Sequence, residues 1–181
     1  MKSLYLLSSH RHGDNRGFFA ETYSRRKFCE IGIFDEFVQD NHSLSREVGT
    51  LRGLHFQSPP YAQAKLVRCG RGAIFDVAVD LRRGSPTYGE WEGYELTSEN
   101  GDQLYIPLGF AHGFVTLEPN SEIVYKCSDY YAPDTEGALL WNDPVIGIDW
   151  PIEAFPILSV KDAAAPLLSD FESPFVFGEN S

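Results

Sequence analysis

Sixteen glycines and eleven prolines cut a chain of 181 residues into short runs rich in β-branched and aromatic side chains. Runs of roughly four to eight such residues between breakers make strands and leave little room for long helices. Strands are expected over 63–69, 73–80, 91–97, 103–106, 113–117 and 122–130. Within 73–80, Ile74, Asp76, Ala78 and Asp80 alternate with Phe75, Val77 and Val79, which predicts one apolar face and one face carrying carboxylates. Helical signals lie only towards the ends. One spans 24–30, with Ser24 as cap and Gly32 as stop; the other spans 159–165, where Ser159 precedes Asp162 at capping-box spacing and Pro166 ends the run. The expected fold is all-β, an antiparallel double-sheet roll that hides its strand edges, with short helices near the N- and C-terminal ends. No repeat, low-complexity tract or linker divides the chain. A single domain over 1–181 is therefore expected, with N-terminal strands and helix over about 1–50, a β-roll core over about 51–150 and a C-terminal helical extension over about 151–181.

Charge narrows the partners. Fifteen Lys and Arg against 26 Asp and Glu give a net charge of −11, which repels phosphate backbones and anionic membrane surfaces, so neither nucleic acid nor membrane is an expected partner. No apolar run approaches the ~20 residues of a membrane span. At the start, Leu4-Tyr5-Leu6-Leu7 falls short of the ~7 to 15 residues of a secretory core. Cys29, Cys69 and Cys127 are odd in number, far apart and without a C-x-x-C pair, which suits free thiols in a reducing cytoplasm better than a disulfide framework or a zinc site.

Against this acidic background, LRGLHFQSPPYAQAKLVRCGRG over 51–72 carries Arg52, Lys65, Arg68 and Arg71 and no carboxylate. Such a local inversion suits an anionic ligand, most simply a phosphate or diphosphate; a solvated strand face is the plainer alternative. His55, in the same stretch, is a proton carrier at neutral pH, although a lone histidine is equally a satisfied core residue. A second stretch, GDQLYIPLGFAH over 101–112, places Pro107 and Gly109 in a tight turn and sends His112 back toward the barrel mouth. This pattern resembles the second signature of the cupin roll, or double-stranded β-helix. Metal-dependent cupins add a His-x-His and a carboxylate from a first signature. Here His55 is followed by Phe56 and Gln57, so too few nitrogens are available, and no metal and no cofactor are expected.

Ten further motifs, in order, extend the resemblance from about Gly13 to Leu168: RGxFxE at 16–21, QDNHS at 39–43, LRGLHFQ at 51–57, AQxKLVR at 62–68, FDVAVDLRRGSPTYGxW at 75–91, IPxGFAHGF at 106–114, YK at 125–126, YYAP at 130–133, WNDP at 141–144 and KDAAAPLL at 161–168. In this register the chain resembles the dTDP-4-dehydrorhamnose 3,5-epimerases, enzymes of dTDP-rhamnose biosynthesis. The resemblance implies a dTDP-linked 4-keto-6-deoxyglucose substrate, inverted at C3 and C5 on either side of the ketone. The 4-keto group acidifies both C–H bonds, so a base and a group that stabilises the enolate oxygen suffice. By position the resemblance implies His55 as general base with Asp162 as its carboxylate partner, Lys65 beside the enolate oxygen and Tyr125 as general acid on the opposite face. It further implies Arg52, His112 and Lys161 as contacts to sugar or diphosphate, and Arg16, Glu21, Gln39, Asp40, Asn41 and Glu136 as contacts to the nucleotide. A homodimer is implied, with N-terminal strands extending the neighbour's sheet. One departure is His12, where family members carry an aromatic that helps stack the base. Inversion at C3 alone, by the same set of residues, stays open.

Overall fold

A computed structural model describes residues 4–178. The chain begins with three short strands, β1 (Tyr5–Ser8), β2 (Arg11–Asp14) and β3 (Gly17–Ala20), then a helix α1 (Arg25–Glu30) and the strand β4 (Gln39–Ser45). The body follows as β5 (Leu51–Gln57), β6 (Lys65–Arg71), β7 (Ala73–Asp80), β8 (Trp91–Thr97), β9 (Asp102–Ile106), β10 (Phe110–Thr116) and β11 (Ser121–Cys127). A three-residue strand β12 (Glu136–Ala138) and a four-residue helix α2 (Val160–Ala163) complete the elements that matter for the site. Two five-stranded antiparallel sheets result, ordered β1-β9-β6-β11-β4 and β12-β5-β10-β7-β8, while β2 and β3 form a separate hairpin. The expected double-sheet roll is therefore the observed one. Among the described residues no helix is long and apolar enough to cross a membrane, and the three cysteines are unpaired.

Three apolar layers hold the sheets. Between them, Val67, Leu104 and Ile106 of the first sheet pack with Ile74, Ala78 and Phe114 of the second. Outside the second sheet, Val77, Val79 and Leu54 meet Leu139, Trp141, Trp150, Leu168 and Phe175 from the C-terminal third. Outside the first sheet, Leu66 and Tyr105 are covered by Phe28 of α1 and by Ile33.

The two faces expected of β7 are observed, and both are buried. Its carboxylate face does not meet water: Asp76 and Asp80 are 0% and 1% exposed. Flanked by β10 and β8, β7 is covered on both faces, so the alternation separates two interiors rather than inside from outside. Asp80 survives burial by accepting from the Arg82 backbone and guanidinium, from Ser85 Oγ at 2.6 Å and from Thr87 Oγ1 at 2.7 Å.

The C-terminal extension is mostly not helical. It is a strap, with a helix only over Val160–Ala163 and a 3-10 turn at Leu168–Asp170, because what it must supply is apolar side chains spread across a sheet face. At the other end, Ser24 occupies the N-cap of α1 without its side chain accepting a hydrogen bond from the first turn. Strand ends also shift: β10 starts at Phe110, ahead of the expected 113, and β11 stops at Cys127. β4 and the basic run Leu51–Gln57 are strands that the alternation did not mark.

One close approach sets the spacing around the site. At Gly53, with φ +128°, a Cβ would lie 2.5 Å from the Gly113 Cα, so β5 and β10 touch backbone to backbone there. The register shifts between His112 and Phe114, and His112 comes to stand opposite His55.

Asp80→Ala should destabilise the chain by about 3–5 kcal/mol in urea unfolding, because Arg82, only 13% exposed, loses the buried carboxylate that pairs with it. Burial would raise the Asp80 pKa, but the Arg82, Ser85 and Thr87 hydrogen bonds outweigh it and hold the carboxyl below 3.8. Its stabilisation is thus present above that pH and lost as the pH falls through the depressed value, a dependence that the variant should lack.

Candidate active site

The roll opens on two adjoining cavities of about 310 and 270 Å³, and His55, Lys65, Tyr125 and Glu136 line both. His55 comes from β5 of the second sheet, whereas Lys65 on β6 and Tyr125 on β11 come from the first. An imidazole and a phenol thus reach one space from opposing sheets. Gln39, Asn41 and Gln63 line the first cavity; Arg52, His112 and Lys161 line the second.

Strand alternation decides who enters. Along β4, Gln39 and Asn41 stand in register with Cys127 and Tyr125 and face the cavity, whereas Asp40 pairs with Lys126 on the outer face, Nζ to Oδ1 2.8 Å. Asp40 is therefore not in this site, contrary to the sequence-based expectation, because odd and even positions of a strand point apart. Arg16 and Glu21 are also absent from it. Arg16 is held by Asp14 within the β2–β3 hairpin, and Glu21 pairs with Lys27 at 2.7 Å. His12, in the same hairpin, stacks edge-on against His10.

His55 Nε2 lies 2.6 Å from Asp162 Oδ1. Asp162 is 5% exposed, and its backbone N–H donates to Ser159 Oγ at 3.0 Å. The cap and the histidine partner are one residue using two groups: its N–H starts α2, and its carboxylate holds the ring. With the hydrogen assigned to Nε2 and donated to that carboxylate, Nδ1 keeps its lone pair for the cavity. Burial pulls the His55 pKa below 6.5 despite the opposing pull of Asp162, so the ring is neutral at pH 7.

Burial also pulls Lys65 below its usual range and pushes the Tyr125 phenol above its own. Lys65 makes no hydrogen bond or ion pair among the described residues, which leaves its ammonium to the cavity. Arg52 is held by Ser45 Oγ at 3.3 Å and the Leu44 carbonyl. Lys161 Nζ reaches Glu136 Oε2 at 2.5 Å, and Glu136 also accepts from the Tyr131 hydroxyl at 3.2 Å. His112 Nε2 lies 2.8 Å from Asp76 Oδ1, deep on β7.

Several lining or supporting residues escaped the sequence reading. Gln57 donates to the Tyr61 and Tyr130 carbonyls and accepts from the Ala132 N–H, tying down the loop that brings Tyr131 to the rim. Cys127 lines the first cavity, and Asn41 Nδ2 contacts its sulfur at 3.5 Å. Gln57 was signalled only by its place in the quoted motif at 51–57, and Cys127 lies in none of them. Among the described residues, no three His, Cys, Asp or Glu side chains gather into a metal-binding group.

The roll thus gathers a carboxylate-held histidine, a phenol and an ammonium without a partner among the described residues around adjoining cavities. The family model described as dTDP-4-dehydrorhamnose 3,5-epimerase matches residues 1–170. The Salmonella typhimurium enzyme of that name is 59% identical over 157 residues, covering 86% of this chain and 85% of the relative. A Legionella pneumophila dTDP-6-deoxy-D-glucose-3,5-epimerase, solved in complex with dTDP-4-keto-L-rhamnose, superposes with TM-score 0.92 at 46% identity, covering 98% of this chain and 94% of that one. The Bacillus anthracis epimerase, solved with TDP and PPi bound, gives 0.89 at 49% identity, covering 92% and 94%. This chain belongs to the dTDP-4-dehydrorhamnose 3,5-epimerase family.

The His55 ring should titrate by NMR with a midpoint below 6.5. In Asp162→Asn that midpoint should fall further, since the carboxylate is what favours the imidazolium. A midpoint that rises in the variant would contradict the assigned contact.

Proposed function

We propose that this chain inverts C3 and C5 of dTDP-4-dehydro-6-deoxy-D-glucose to give dTDP-4-dehydro-L-rhamnose. The observation that carries this reading is that His55 and Tyr125 line one cavity from opposing sheets. His55 Nδ1 takes the proton from C3, and the electron pair of that C–H bond moves through the carbonyl to O4. The Lys65 ammonium stabilises the enolate oxygen, a contribution that strengthens in a water-poor site. Tyr125 then delivers its hydroxyl proton to C3 on the face opposite His55. Opposite faces are what make the step an inversion, because return of a proton to its original face exchanges hydrogen and nothing else. The imidazolium and phenolate recover their resting states by exchange with solvent, and the cycle repeats at C5. The substrate's own ketone acidifies both C–H bonds, so the chemistry needs no redox cofactor.

The dTDP moiety fits the rest of the cavity. Arg52 and Lys161 supply charge for a diphosphate, and Gln39, Asn41 and Glu136 supply groups for the deoxyribose and base edge. The solved relatives that hold TDP or a dTDP-sugar support this choice. Arg16 and Glu21 enter the reading through a homodimer. β1 is engaged with β9 of its own chain, so the element free to reach a neighbour is the β2–β3 hairpin, where Phe18 and Phe19 are exposed. In a dimer this hairpin brings Arg16 and Glu21 to the nucleotide end of the partner's cavity, and light scattering should give twice 20.4 kDa.

In an assay coupled to a 4-reductase and NADPH, His55→Ala should lower kcat by about 10²–10⁴-fold. Tyr125→Phe should still wash solvent deuterium into C3 while losing net inversion. Deuterium at C3 but never at C5 in the wild type would instead make this a C3-only epimerase, and a wild type without turnover would refute the reading altogether.

A further inference from the structure

Among the described residues, two buried side-chain oxygens find no hydrogen-bond partner: Ser43 Oγ and Asp76 Oδ2. The second is the more costly. Asp76 is 0% exposed on β7, an inner strand of its sheet between β10 and β8, and faces the interior of the roll, and only its Oδ1 is bonded, to His112 Nε2 at 2.8 Å. A buried carboxylate with a free oxygen is expensive unless a cation compensates it. Were Asp76 needed only to tie β7 to β10, an amide would accept the same hydrogen bond without the charge. A cation without a partner lies on the other sheet: Lys65, on β6, has neither hydrogen bond nor ion pair among the described residues.

We propose that Asp76 is a positioning residue for the epimerisation, fixing His112 with its hydrogen on Nε2 and supplying the negative charge that keeps Lys65 an ammonium beside the enolate oxygen. This rests on the role given to Lys65 above. No direct ion pair links the two, so the effect acts through the low-dielectric interior, and the ammonium stays free to meet the substrate. Burial works against the charged form of Lys65, and Cys127, Asp76 and Glu136 work for it. The other titratable groups that line its cavities are His55, Tyr125 and Tyr131, the cations Arg52 and Lys161, and His112 and Asp162. Beside Asp76 stand His112 on β10, Cys69 on β6 and, in register on β8, Tyr94. Among the described carboxylates here, Asp76 is the one that is 0% exposed with an oxygen unbonded, since Glu136 is paired with Lys161 and Asp162 is held against His55.

The sign of the effect follows. Removing the Asp76 charge lets Lys65 lose its proton at lower pH, so the alkaline limb of kcat/KM moves down. Asp76→Asn, which keeps an acceptor for His112, should lower kcat by about 10²-fold with KM changed by no more than about threefold. It should also shift the alkaline limb to lower pH. In a Lys65→Arg background, whose guanidinium does not titrate in this range, the same substitution should leave the limb where it was. An Asp76→Asn enzyme with unchanged kcat, or with reduced kcat and an unmoved limb, overturns the inference while wild-type turnover upholds the activity. A wild type without turnover overturns both. Should Asp76→Asn fail to fold, carboxyl ¹³C NMR of the wild type decides: an ionised Asp76 at neutral pH supports the inference, and a protonated one overturns it.

Discussion

A sheet that is apolar on both faces must be covered twice, and this requirement organises the whole molecule. The inner face of the second sheet is covered by the first sheet; its outer face, with Val77 and Val79, is covered by the strap that carries Trp141, Trp150, Leu168 and Phe175. Burying residues of this size is worth roughly 1.5–3 kcal/mol each. The strap therefore cannot drift, and its path over the sheet is what sets α2 beside β5. Asp162 meets His55 across 107 residues of sequence because a hydrophobic face had to be closed.

The same architecture sets the electrostatics. Cations placed on strand faces that turn into the roll lose water without gaining carboxylate partners among the described residues: Lys65 has no hydrogen bond or ion pair there, and Arg52 is held by a hydroxyl and a carbonyl. An interior of this kind is poised for an anion, and its partly desolvated charges act more strongly on a developing oxyanion than they would in water. Where a carboxylate would neutralise a cation directly, as in Lys161 with Glu136, the pair lies at the cavity margin.

Much of this was legible in the chain. Breaker spacing marked most body strands, because each turn needs glycine or proline chemistry that leaves its own trace. The motif register named His55, Lys65, Tyr125 and Asp162, and all four line or support one cavity. What failed to show was anything that depends on which interior a residue enters. Asp76 and Asp80 showed only as one face of a strand, since alternation tells two faces apart without telling what covers them. Asp40 looked equivalent to Asn41, although one residue of strand separates inside from outside. The strap looked helical at 151–181, because its apolar residues follow a sheet face rather than any period of their own.

The amino-acid sequence by itself determined the secondary-structure type, the acidic surface with its basic stretch, and the family register of the reactive side chains, since these are properties of neighbours along the chain. Tertiary structure alone decided that His55 and Tyr125 share a space from opposing sheets, that Asp162 serves both a helix cap and a histidine, and that Asp76 lies buried with one oxygen free. Each of these joins residues far apart in sequence, and only the closure of the roll sets the distance between them.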